Sequence, residues 1–154
     1  MKKQQRKKKI NDVDTFAVPF ALGEIEESIS ISPNTNSNPS KEQIINQASN
    51  FHSQGNILEA AKYYKLFINQ GFKDHRVFAN YGIILKGLGN LQEAESILRK
   101  AIKLKPDFAE AHCNHGNIFR DLGNLEEAEL SIRKAIKLKP NFAQAHYNLG
   151  NVLR

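Results

Sequence analysis

The sequence has one cysteine, Cys113, so no disulfide can close within the chain, and a lone thiol fits a reducing compartment. It has no apolar run near the ~18 residues needed to cross a bilayer. Its basic start does not continue as a secretory leader. Asp12 and Asp14 follow the lysines, and the next apolar stretch, Phe16 to Leu22, is short and broken by Pro19. These absences point to a cytoplasmic protein. A glycine-rich phosphate loop is missing too, because GLGNLQEA has the residues of a turn between helices rather than a strand-to-helix cradle. Charge of one sign is scarce outside the start. The formal net charge is +6, yet Lys2, Lys3, Arg6, Lys7, Lys8 and Lys9 hold six of the 22 basic residues and leave 16 against 16 acidic ones. That cluster has no interleaved aromatics and no lipidation signal. It offers at most nonspecific contact with nucleic acid or an anionic surface, and a solvated tail is the plainer reading.

What the sequence does have is repetition. His75 to Phe108 aligns without a gap on Ala109 to Phe142, a period of about 34 residues. A unit of that size cannot bury its apolar face alone, so the fold is a stack and its product is a surface. Residues 1–40 stand apart. A cationic run, a small apolar island and the Ser-, Asn- and Pro-rich ISISPNTNSNPS bury too little to offset the entropy of ordering them, so they read as a disordered basic tail.

From residue 41 onward the signals are helical. Ser40 with Gln43 makes a capping box, and Asp107 with Glu110 and Asn141 with Gln144 repeat its spacing. Gly55, Gly89 and Gly123 end the first helix of each unit in a left-handed turn. Asn56, Asn90 and Asn124 then cap the second, and Pro106 and Pro140 stop it in two units. This predicts first helices near 41–54, 75–88, 109–122 and 143–154 and second helices near 57–70, 91–104 and 125–138. The fold class is all-α. Gly82, Gly116, Gly150, Ala94 and Ala128 are expected to let paired helices approach closely.

The residues carrying the period are Phe78, Tyr81, Gly82, Leu85, Gly89, Ala94, Leu98, Ala101 and Pro106, matched by His112, His115, Gly116, Phe119, Gly123, Ala128, Ile132, Ala135 and Pro140. Ile44, Ala48, Phe51, Gly55, Ala60, Tyr64, Phe67 and Phe72 form a more degenerate first copy. This pattern resembles the tetratricopeptide repeat (TPR) over residues 41–154. The resemblance implies an α-α solenoid winding as a right-handed superhelix, with units at 41–74, 75–108 and 109–142 and a partial one at 143–154. The last unit stops after its first helix and leaves Leu149, Val152 and Leu153 partly uncovered. The sequence therefore reads as a fragment of a longer protein, and self-association through that helix is a possible consequence.

Function reads as binding. In a TPR stack the first helices line the concave face, where Asn46, Asn80, Asn114 and Asn148 recur at one phase, with Asn117 and Asn151 a turn further on. An amide both donates and accepts, so such a column can pair with the main chain of an extended peptide whatever its sequence. The column is similar to the asparagine ladder in the TPR arm of O-linked N-acetylglucosamine transferases. The alternative is that these amides bond neighbouring helices. A second column, His52, Lys86, Arg120 and Arg154, favours acidic partners, or alternatively complements helix C-termini. The carboxylate clamp that some TPRs use for chaperone tails requires a Lys before the ladder Asn, where Ile45, Ala79, Cys113 and Tyr147 stand.

His112, Cys113, His115 and His146 suggest a metal site, but Cys113 lies about 100° around the helix from His112. Core packing is the plainer reading for His112 and His146. No catalytic constellation, metal or cofactor is indicated. The leading function is a scaffold for a partner protein or peptide. The alternatives are the recognition arm of a larger, glycosyltransferase-like enzyme, and nonspecific nucleic-acid binding by the tail.

Overall fold

Ser40 opens the first helix. Its Oγ accepts the Gln43 N–H at 3.2 Å, while the Gln43 side chain accepts the Ser40 N–H at 2.8 Å, closing the capping box. The computed structural model describes residues 38–154. The helix so opened, α1 (Lys41–Ser53), is followed by α2 (Ile57–Asn69), α3 (His75–Gly87), α4 (Leu91–Leu104), α5 (Ala109–Asp121), α6 (Leu125–Leu138) and α7 (Ala143–Val152). No strand occurs among the described residues. Residues 1–37, nearly all of the expected tail, lie outside them.

The turn inside each unit is one device used three times. Gly89 has φ +86°, its N–H reaches the Lys86 carbonyl at 2.9 Å, and the Asn90 N–H reaches the Leu85 carbonyl at 2.9 Å. This paired closure needs a left-handed residue, which glycine supplies at no steric cost. Gly71 closes α2 in the same way with φ +80°, and the accompanying contact is between the Phe67 and Phe72 rings, 5.4 Å apart. That is why Phe72 stands where the other units have proline.

Two expectations about caps are corrected. Asn56, Asn90 and Asn124 do precede the second helices, but none makes a side-chain cap hydrogen bond. The closure of the preceding helix holds their ψ at 65°, 63° and 74°, away from the extended value that aims a cap side chain at the next turn. Asp107 and Asn141 are not caps at all. The Phe108 and Phe142 amides bond back to the Lys105 and Lys139 carbonyls at 3.2 and 3.1 Å, so Pro106-Asp107 and Pro140-Asn141 form turns and the phenylalanines take the N-cap places. Both rings are buried. Burying a phenylalanine is worth about 1.5–3 kcal/mol against about 1 for a side-chain cap, so the ring decides where the helix starts. A cap the sequence reading missed is Asp74, which accepts the Arg76 N–H at 2.8 Å and is gripped by that guanidinium at 3.0 and 3.2 Å.

The helices pack as two layers. First helices touch across units, α3 on α5 and α5 on α7, whereas α2, α4 and α6 pack chiefly on the helices next to them in sequence. The first-helix layer is therefore the tighter one, and the stack curves around it. Between the layers Phe78, Tyr81, Leu85, Ala94, Leu98 and Ala101 are buried, as are Ala128, Ile132 and Ala135 one unit later. The close approach falls at Gly82 and Gly116, where an added Cβ would stand 2.8 Å from Leu98 Cγ and 2.5 Å from Ile132 Cγ1. At Gly150 it would meet nothing within 4 Å, so the expectation of close packing fails there for want of a facing helix among the described residues.

Candidate functional site

The concave layer presents the expected polar columns, at unequal depth. Asn46 is exposed and Asn151 partly so, while Asn80, Asn114, Asn117 and Asn148 are buried. Two of the buried amides bond across helices. Asn148 donates to Cys113 Sγ at 3.4 Å across the α5–α7 contact and accepts from Gln144 at 2.9 Å. Asn80 bonds the Tyr64 hydroxyl, which also stands 3.3 Å from His52 Nδ1. Burial pushes that phenol up to about 12 although the bond to Asn80 opposes the shift, so it stays a neutral donor. Asn46 thus stays exposed, and Gln144 and Asn151 partly so.

The cation column is equally engaged. Lys86 Nζ lies 3.1 Å from Asp121 Oδ2, and Arg120 reaches Oδ1 of the same carboxylate with Nη2 at 2.9 Å and Nε at 3.2 Å. Lys86 belongs to unit 2, Arg120 and Asp121 to unit 3, so the cluster bridges the layer. Arg154, the next member of the column, is exposed.

The histidines divide by partner. His112 Nε2 donates to the Pro106 carbonyl at 2.9 Å and His146 Nε2 to that of Pro140 at 2.8 Å. Each ties the start of a first helix to the turn before it, which replaces the core role expected of them; His146 is exposed. His115 Nε2 donates to Glu95 Oε1 at 2.9 Å, linking α5 to α4, and its ring lies 4.4 Å from that of Phe119. Burial pulls His115 below the usual histidine value and Glu95 restores part of the shift. Burial pushes Glu95 up, but hydrogen bonds from His115 and Arg99 outweigh it and hold the carboxyl low. Cys113, between these histidines in sequence, points instead to Asn148. Among the described residues no three His, Cys, Asp or Glu side chains are placed to hold a metal ion, and no helix is long and apolar enough to cross a membrane.

A family model described as a tetratricopeptide repeat matches residues 75–108, and one described as a TPR repeat matches residues 116–153. The chain is a TPR protein. Similar solved structures include the TPR domain of Arabidopsis OM64, with a TM-score of 0.69 and 19% identity over 73% of this chain and 93% of that one. The second TPR domain of human RPAP3, solved with the HSP70 peptide SGPTIEEVD, gives 0.67 and 23% over 72% and 92%. A mutant O-GlcNAc transferase of Thermobaculum terrenum gives 0.69 and 24% over 73% of this chain and 22% of that one. At these identities the likeness is one of fold. Comparison with curated proteins gave no match.

Proposed function

We propose that this TPR protein is a scaffold whose concave face takes an extended segment of a partner protein. The carrying observation is the inner layer itself. α3, α5 and α7 touch in one layer. In this reading Asn46, Gln144 and Asn151 offer amides for main-chain pairing, and Arg120, with the buried Lys86 ammonium behind it, offers positive charge for acidic groups. The peptide complex of human RPAP3 lends support, since a domain of the same fold was solved with a short acidic peptide bound. The buried Asn80 and Asn148 contribute by tying neighbouring helices together, and the exposed polar residues touch the ligand.

The test is capture from native lysate with the chain as bait, beside an Asn46→Ala/Asn151→Ala variant and an Arg120→Ala variant of unchanged helicity. Partners retained by the parent chain and depleted severalfold by both variants are the expected outcome. Identical lists from all three baits would remove the concave face as the working surface.

A further inference from the structure

The concave layer already holds an acid at the place where the proposed ligand would put one. The Lys86 side chain is only 5% exposed and directs Nζ at one oxygen of Asp121; Arg120 takes the other. One carboxylate thus serves two cations from consecutive units. Asp121 is the last residue of α5. A helix presents its negative end there, so a carboxylate at this place is disfavoured by its own helix and held by the cations alone. Nor does the repeat need an acid for its fold. The equivalent residues of the first two units are Ser53 and Gly87, each ending a complete first helix. The Asp121 side chain is 29% exposed and directly precedes the Leu122-Gly123 turn. Rotation about its own side-chain bonds can carry it into water.

We infer that Asp121 is a resident counter-ion in an anion subsite formed by Lys86 and Arg120, a subsite that receives a side-chain carboxylate of the bound partner segment. This rests on the concave-face reading and names the chemistry that face selects. Exchanging one carboxylate for another conserves the charge-assisted hydrogen bonds, so the subsite adds discrimination more than affinity. A partner with glutamine at that place cannot displace Asp121. A partner with lysine there meets two cations. Asp121 therefore sets the threshold an acidic ligand must pass, as a built-in competitor for its own site.

The experiment uses the full chain and fluorescein-labelled Gly-Glu-Glu-Glu-Gly, with a glutamine counterpart and a phosphoserine counterpart, followed by anisotropy at low and physiological salt. Asp121→Asn and Asp121→Ser, the latter the residue unit 1 carries as Ser53, should each tighten the glutamate peptide about five- to tenfold and steepen its salt dependence. The glutamine peptide should be unaffected, and adding Lys86→Gln to either variant should abolish the gain. A phosphoserine peptide that gains more than the glutamate one would overturn the carboxylate assignment. Unchanged or weaker glutamate binding, an equal gain for the glutamine peptide, or loss of helicity in both variants would make Asp121 a structural tie and end the proposal. If partner capture still depends on Asn46 and Arg120 in that case, the scaffold reading survives without it.

Discussion

Three glycines occupy one place in three successive units and differ in what a single added carbon would meet. At Gly116 it would press on Ile132 Cγ1 at 2.5 Å and the Ala128 carbonyl at 2.9 Å, and at Gly82 on Leu98 Cγ at 2.8 Å with the Ala94 carbonyl at 3.4 Å; at Gly150 the space is empty. Overpacking of this kind costs about 1–3 kcal/mol, while alanine in a helix gains about 1 over glycine. Gly116→Ala should therefore destabilise by up to about 2 kcal/mol, Gly82→Ala by less, and Gly150→Ala should be neutral or stabilising. Urea denaturation of the three variants gives the order, and equal losses at all three sites would refute the packing account. The Asn80 amide makes a different kind of prediction. It is buried against the Tyr64 hydroxyl, so Asn80→Ala should cost about 1–3 kcal/mol with helicity retained, read from the same denaturation curves.

At the scale of the helix, α7 is the weak element. Its Gly150 faces nothing, Leu153 is exposed, and the helix before it offers less to pack on. α4 carries Ile97 buried, but α6 has serine at that place and puts its leucine one residue earlier, as Leu130, 70% exposed. Amide hydrogen exchange should release α7 first and α3 and α5 last; uniform protection across all seven helices would contradict this. The helices themselves were readable from sequence because the signals that bound them are local. Ser40 with Gln43, the glycines at 55, 89 and 123, and the prolines at 106 and 140 act within a few residues of where they stand. The misread caps show the limit of that approach. Asp107 and Asn141 have the right spacing, but the helix start is set by where Phe108 and Phe142 bury their rings, a tertiary matter. For the concave columns the sequence supplied the phase of each residue and not its depth. Whether Asn80 or Asn114 faces solvent depends on how closely the next unit approaches, and Asp121 could be matched to Lys86 only once α3 and α5 were seen side by side. His112 and His146 eluded the reading because their partners are backbone carbonyls, which no side-chain pattern reveals.

Between pH 8 and 5 the buried histidines answer to pH in one direction. Burial is the main reason that His52, His112 and His115 all lie below the usual histidine value of 6.5. The unfolded chain then takes up protons near that value before the folded one does, so stability is full above pH 6.5 and declines as pH falls towards the folded values. Glu95, held below the ordinary 4.5, adds stability that is present above 4.5 and is lost only as pH drops through its lower folded value. Thermal melts at pH 8, 6.5 and 5 should show a falling midpoint, and His115→Gln should flatten the fall; a midpoint that rises on acidification would contradict the burial of these rings.

The polar contacts between units also distinguish one order of the array from another. α4 and α6, LQEAESILRKAIKL and LEEAELSIRKAIKL, are close enough in sequence to trade places, and each unit has the same glycine turn. A chain with units 2 and 3 exchanged would keep every helix and would still offer Tyr64 an amide, that of Asn114. It would separate Glu95 from His115, Lys86 from Asp121 and Cys113 from Asn148. These three pairs are specific to the native order, and a stack with the two units exchanged would forfeit all of them.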